Sequence, residues 1–511
     1  MTVVAGSGQP AERRRTRIGP ALLWSYALSM GQFGIGGGLT FILAAILNPA
    51  TFGLMVMAMV WISFILMLIH HATLPIIQQP DLGNRHFSAA FWAMLAGAVT
   101  VALLILLGGG AVAALNRTPE LADVLRALAP LVLLEATSAI PAAVLRRQMR
   151  FRALAVRGLV AEVAGGAVGI SLALTGYGVW ALVGQQYALS LVSAAMLWLA
   201  RPWPLRFGPV RAEIRQMRAT AAKSVAGFFG YFVSLRTDAL LLGVLFGPAA
   251  VGLYRLATKI TEMIRNLASE ALSQVSLPDL AAMHREPDRF VARLSGYVHT
   301  SAVVAFPLLG LAAAVAEPAL AILGPEWTDA ATPLRVLCLA SAGWVIYSQL
   351  TTALMAAQRP GTEAAFNWLR ALVLALAMGL SAWLTWSASL PVRVFAIAVA
   401  VLAMEVAMTA LSWWVTFRRT LRTSGRPVLV VMLPALVTGI AAAVAGWAAV
   451  SLVGDQAPLF AVALGLVAGA GVAAPILILT DARVARQLRA LRDRWRSRSA
   501  PDPVTVHPEG P

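Results

Sequence analysis

Cysteine is almost absent: Cys338 is the only one. A single thiol excludes a disulfide within the chain and any centre built on several thiolates. Charge is scarce as well. Asp, Glu, Lys and Arg make up 12% of the 511 residues, against about 25% in soluble globular chains. Lysine is the rarest charge, with Lys223 and Lys259 alone. Long polar stretches are also missing, and the longest connection between apolar runs is 201–221. That leaves no room for a large catalytic domain outside a membrane. No phosphate-binding loop, nucleophile–base pair or paired-carboxylate site stands above this background, and no motif calls for a cofactor. The pair His70-His71 lacks the further ligands that a metal site needs.

What is abundant is apolar sequence, at 59% of residues. A membrane span needs about 20 such residues in a row. Fourteen runs qualify, near 20–47, 52–78, 88–115, 122–145, 153–174, 178–200, 222–246, 250–276, 294–323, 333–357, 363–387, 392–416, 428–452 and 457–479. The expected fold class is therefore an all-α polytopic membrane protein of about 14 transmembrane helices. TGYG (175–178) and GPAA (247–250) read as tight turns, because Gly and Pro supply the backbone that turns require.

The net charge of +17 comes almost entirely from arginine. In a soluble chain so basic a balance suggests nucleic acid; in a membrane chain the question is which loops hold it. Both termini and the loops after even-numbered spans, with the span ends beside them, hold 31 of the 40 cations, and the opposite loops and span ends hold four. The positive-inside bias then places both termini in the cytoplasm. The basic tail RVARQLRALRDRWRSRS (483–499) is expected to meet anionic membrane lipids rather than nucleic acid. Trp198, Trp203, Trp383, Trp386, Trp413 and Trp414 read as interfacial belts.

The chain also repeats itself. NPATFGLMVMAM (48–59) and GPAAVGLYRLAT (247–258) match in register at an offset of 199 residues, with Pro49/Pro248, Ala50/Ala249, Gly53/Gly252, Leu54/Leu253 and Ala58/Ala257 identical. At the same offset, FWAMLAGAV (91–99) meets FVARLSGYV (290–298). An offset of six spans means that both copies enter the membrane in the same direction, so this is a parallel repeat. The expected organisation is a basic cytoplasmic segment 1–19, an N-lobe 20–200 (spans 1–6), a basic inter-lobe loop 201–221, a C-lobe 222–416 (spans 7–12), spans 13–14 at 428–479 and a basic tail 480–511. Two parallel six-helix lobes facing a central cavity suit an alternating-access transporter better than a channel or an enzyme.

Ionisable groups inside spans face water or a partner, because bare hydrocarbon is costly for them. Span 7 carries Arg236 and Asp238; span 8 carries Arg255, Lys259, Glu262 and Arg265; span 11 adds Arg370 and span 12 Glu405. Arg255, Lys259, Glu262 and Asn266 share one helical face. Arg255, Lys259, Arg236 and Arg370 are candidates to hold an anionic headgroup, since guanidinium matches phosphate oxygens. Asp238, Glu262 and Glu162 are candidates for a coupling proton or cation. The competing expectation is internal pairing, Lys259 with Glu262 or Asp238, and Arg265 with Glu262 or, through neighbours, with Glu270. The copies differ where it matters: Val56 and Val60 in the first become Arg255 and Lys259 in the second.

Several blocks resemble a known family. LNPATFGLMVMAMV followed by IIQQPDL, IPAAVLRRQMRFRALA (140–155), GYGVWALV (176–183), TDALLLGVLFGPAAVGLYRLATKI (237–260) and LGPEWTDAATPLRVL (323–337) are similar, in order, to bacterial polysaccharide-biosynthesis flippases of the multidrug/oligosaccharidyl-lipid/polysaccharide exporter superfamily. The chain departs from the family pattern at IHHATLP (69–75), Ser234 and Asp279. The resemblance implies transport of an undecaprenyl-pyrophosphate-linked oligosaccharide across the bacterial inner membrane, with a polysaccharide polymerase as an expected partner. A drug exporter or a peptidoglycan-precursor flippase on the same fold is the alternative, and a membrane glycosyltransferase or polymerase a more distant one. Spans 13–14 would offer a groove for the lipid tail.

Overall fold

A computed structural model describes residues 31, 34–79, 81–200, 203–207, 211–283, 286–358, 360–453 and 457–481. The described chain is helical throughout, with no strand among the described residues. The helices are α1 (Gly34–Ile46), α2 (Pro49–Ala72), α3 (Leu74–Gln78), α4 (Asn84–Leu115), α5 (Glu120–Arg147), α6 (Phe151–Leu174), α7 (Val179–Leu199), α8 (Arg211–Phe246), α9 (Pro248–Ala282), α10 (Pro287–Ala314), α11 (Ala316–Ala321), α12 (Ala331–Ala356), α13 (Pro360–Leu384), α14 (Leu390–Trp414), α15 (Arg426–Val453) and α16 (Pro458–Thr480). Among the described residues, eleven helical segments are long and apolar enough to cross a membrane. α1, α8 and α9 occupy the places of expected spans 1, 7 and 8. α1 is described over only part of that run, the middle of α8 has no described side chains, and α9 is too charged to count.

Proline and glycine punctuate these helices as their chemistry requires. Proline opens α2, α9, α10, α13 and α16, where its missing N–H has no intrahelical partner to lose. Gly176 and Gly178 in the TGYG turn and Gly247 before α9 have φ of 84°, 56° and 81°, left-handed backbone that favours glycine. Two boundaries depart from expectation. α8 begins at Arg211, inside the stretch read as a loop (201–221). The run 294–323, read as one span, breaks after Ala314. Pro318 explains the break, since it has no N–H to offer the Ala314 carbonyl four residues earlier.

The chain forms two compact units: 1–263, 320–340 and 358–411 in the first, and 264–319, 341–357 and 412–511 in the second. In the first unit α5 is the central helix, packed on α2, α4 and α7. Within its membrane-length window 72% of residues are buried, against 17% for α4, so α4 is peripheral. Arg147, at the end of α5, donates to the carbonyls of Ile76 and Gln79, both at 2.9 Å, and lies 5.4 Å from the Phe87 ring centre. Trp203 is not part of an interfacial belt. It is buried against Phe87, Phe91 and Trp198, and its N–H reaches the Ser88 hydroxyl at 3.3 Å. Trp383 and Trp386 are exposed, as a belt requires.

The second unit is held by small residues. α15 packs on both α10 and α16. A Cβ on Gly310 would meet the Gly439 carbonyl, and one on Gly446 the Gly465 carbonyl. Helices approach this closely in a membrane only where side chains are nearly absent. His299 of α10 is bonded to Asp481, just past α16, and both are buried. Asp279, one of the departures from the family pattern, accepts from Arg293 at 2.7 Å and Tyr297 at 2.6 Å. These two donors hold its carboxyl below the usual carboxylate range.

Candidate functional site

The repeated motif makes a helix crossing inside the first unit. Asn48 caps α2, its side-chain oxygen accepting from the Thr51 N–H at 2.8 Å. α9 starts instead from the left-handed Gly247. A Cβ on Gly53 would overlap the Pro248 carbonyl, and a Cβ on Gly252 would overlap the Pro49 carbonyl. The four residues are repeat partners, so the contact is reciprocal, as across a two-fold axis. Trp327 completes this end. It is fully buried, donates its indole N–H to the Ala44 carbonyl at the end of α1 at 2.8 Å, and meets Phe52 edge-on at 6.0 Å. One of the carbonyls that a helix leaves unpaired at its C-terminus is thereby satisfied.

From this crossing a cavity of about 460 Å³ runs along α2, from Phe52 past Val56 and Val60 to Ser63. Its other walls are α1 (Gly36, Thr40), α6 (Glu162), α7 (Leu182, Gln185, Gln186, Leu189) and α9 (Arg255, Lys259). The size lies within the range of about 300–1,000 Å³ typical of small-ligand sites. Val56 and Val60 face the same space as their repeat partners Arg255 and Lys259. One copy of the repeat thus supplies an apolar wall and the other a cationic one.

The structure sorts the candidate residues. Arg255, Lys259 and Glu162 come together in the cavity wall. Lys259 and Glu162 are near enough to interact electrostatically. Glu262 is bound by Arg255 at 3.3 Å, two helical turns away, a pairing that the sequence expectation did not include. Arg265 lies 4.7 Å from the Trp344 ring centre, a cation–π contact. Arg370 is not among the cavity-lining residues. It forms an ion pair with Glu405, which is 2% exposed. A carboxylate buried so deeply needs a partner, and Arg370 serves that need. Arg236 and Asp238 lie on α8, but their side chains fall outside the described residues.

Four polar side chains were not singled out from the sequence. Gln185 and Gln186 line the cavity, and neither has a hydrogen bond to another described residue. Thr40 and Ser63 also line it and donate to their own helix backbone, to Gly36 at 2.7 Å and Val60 at 3.0 Å, which leaves oxygen lone pairs for a ligand. The signal was the adjacent glutamine pair in an otherwise apolar span. Two glycines of α1, in the run GIGGG (34–38), make room for side chains near the cavity. A Cβ on Gly36 would press on the Glu162 carboxylate at 2.7 Å, and one on Gly37 on the Met263 methyl at 2.8 Å. Gly36 therefore lets Glu162 reach the backbone of α1.

A succinoglycan biosynthesis transport protein, ExoT of Rhizobium meliloti (strain 1021), is 26% identical over 320 residues, 62% of this chain and 64% of its own. A teichuronic acid biosynthesis protein, TuaB of Bacillus subtilis (strain 168), is 22% identical over 297 residues, 57% of this chain and 61% of its own. Each match spans less than two thirds of the relative's length. Among solved structures, the lipid II flippase MurJ in an inward closed conformation superposes with a TM-score of 0.65 at 13% identity, covering 91% of this chain and 99% of MurJ. An inward-facing multidrug-resistance transporter of the MATE family gives 0.58 at 13% identity, covering 79% and 98%. At these identities the likeness is one of fold. With its apolar helices, that fold makes the chain a multi-pass membrane protein. The family model described as polysaccharide biosynthesis protein matches residues 42–332, more than half of the chain and the whole of the helix crossing, and the chain belongs to that family.

Proposed function

We propose that the chain is a flippase that moves an undecaprenyl-pyrophosphate-linked oligosaccharide across the bacterial inner membrane by alternating access, for O-antigen, capsule or exopolysaccharide assembly. One observation carries this reading. A membrane protein of a polysaccharide-biosynthesis family holds Arg255 and Lys259 in the wall of an internal cavity. Cations at that depth suit a phosphate headgroup whose lipid tail stays in hydrocarbon. A drug exporter for cations would favour carboxylates on that wall. The arginine asymmetry orients both termini to the cytoplasm, which puts the Gly53/Gly252 crossing at the outer face and leaves the cavity to load from inside. The two copies of the repeat, with six spans each, would rock about that crossing. No catalytic group is assigned, and the protein acts as a carrier rather than an enzyme.

The test is reconstitution. Purified protein in liposomes should move a fluorescent undecaprenyl-pyrophosphate-linked oligosaccharide between leaflets, read by quenching from outside. Lys259→Ala should reduce the rate to that of empty liposomes. Movement of a cationic dye with no movement of the lipid-linked glycan would replace this reading with the exporter.

A further inference from the structure

The cavity is not uniformly cationic. α9 offers Arg255 and Lys259, while α6 and α7 offer Glu162, Gln185 and Gln186, with hydroxyls from Thr40 and Ser63 beside them. These two sets suit different chemistry. A pyrophosphate accepts hydrogen bonds and repels a carboxylate. A sugar hydroxyl both donates and accepts, and an amide can answer it in both ways. Glutamines that face a cavity with no hydrogen bond to another described residue are left for water or a ligand, and a polar ligand gains by replacing that water. Glu162 accepts hydrogen bonds when ionised, and its charge, opposite that of Lys259, sets a polarity across the space.

We infer that the α6–α7 wall is a carbohydrate subsite that reads the sugar joined directly to the pyrophosphate, with Gln185, Gln186 and Glu162 as its specificity-determining residues. This rests on the flippase reading above. The cavity volume of about 460 Å³ suits a small ligand rather than a long glycan. Selection is therefore made on the reducing-end sugar, and the outer part of the oligosaccharide goes unread by this site. Glu162 steers the phosphates away from this wall and onto α9, so the headgroup enters in one orientation.

Two probes separate the subsite from the cation site: undecaprenyl pyrophosphate, and the same lipid carrying a single glucose. Binding of each to purified full-length protein is measured for wild type, Gln186→Leu, Gln185→Leu and Lys259→Ala. The glutamine variants should weaken the glucose-bearing lipid by about 2–10-fold, the range of one net hydrogen bond, and keep wild-type affinity for the sugar-free lipid. Lys259→Ala should weaken both. Retained binding of the sugar-free lipid also serves as the folding control. Equal loss of both lipids in the glutamine variants, or no loss of either, overturns the subsite and leaves the flippase reading standing. Failure of both lipids to bind wild type overturns the two together.

Discussion

α2 and α9 descend from one pattern and meet in one cavity, yet they do different work there. Both open on a proline, both cross at a glycine, and each glycine rests on the other helix's proline carbonyl. A turn further in, the copies part: Val56 and Val60 on α2, Arg255 and Lys259 on α9. The crossing fixes the backbones at one end, so it cannot vary without separating the helices. Val56, Val60, Arg255 and Lys259 line open space instead. The repeat therefore keeps the residues that join the copies and lets those that face the cavity differ.

The largest expected effect breaks this comparison at the cavity. Arg255→Ala or Lys259→Ala should abolish export of the lipid-linked glycan with normal membrane insertion, read by surface-polysaccharide staining in cells that lack the native gene. Val56→Ala and Val60→Ala should keep export within about twofold, as expected for a change under about 0.5 kcal/mol in headgroup binding. Similar losses on both helices would remove the distinction between the walls. The crossing comes next. Gly53→Ala and Gly252→Ala each force a methyl onto a backbone carbonyl, and overpacking of this kind destabilises by about 1–3 kcal/mol. Thermal unfolding of the detergent-solubilised protein should fall in both variants, and by similar amounts because the contact is reciprocal. A tolerant glycine on one side only would mean that the two helices do not share the crossing equally.

The parts of this arrangement that could be read in the sequence are those set by local rules. Residues four apart on a helix share a face, so spacing alone pairs Arg255 with Lys259, and the turn glycines at 176, 178 and 247 follow from chain geometry. What escaped depends on contacts far apart in the chain. Arg370 looked like a cavity cation because its partner Glu405 lies 35 residues away. Arg255 reaches Glu262 over two turns, a span that one-turn pairing rules pass over. Gln185 and Gln186 carry no charge, so the rule that ionisable groups inside spans mark a site does not reach them. Trp203 looked interfacial by type, yet it is buried among Phe87, Phe91 and Trp198. The break before α11 was legible and missed, since Pro318 stands in the sequence.

A transplant sharpens the comparison further. If Val60 and Lys259 face one cavity, the cation is defined by the space and not by the helix that bears it. The double variant Val60→Lys with Lys259→Val should recover part of the headgroup binding that Lys259→Val loses, by about tenfold, or roughly 1.4 kcal/mol. The measurement is affinity for undecaprenyl pyrophosphate. No recovery would mean that α9 also contributes position, with Glu162 tuned to Lys259 where it stands.

The smallest effect concerns how the two copies begin. α2 is capped by a side chain, with Asn48 accepting from Thr51 at 2.8 Å. α9 is preceded by Gly247 with φ of 81°, so its entry is fixed by backbone instead. Asn48→Ala should cost about 1 kcal/mol and Asn48→Gly only a few tenths, because glycine is itself a tolerated cap. At Gly247 the order reverses: alanine there must enter the left-handed region, at about 1–2 kcal/mol, while asparagine, which visits that region readily, should be milder. Thermal unfolding of the four variants reads this directly. If Asn48→Gly proved as harmful as Asn48→Ala, the side-chain bond alone would fix the entry of α2; if neither variant cost anything, that bond would not matter, and the two copies would begin by the same means after all.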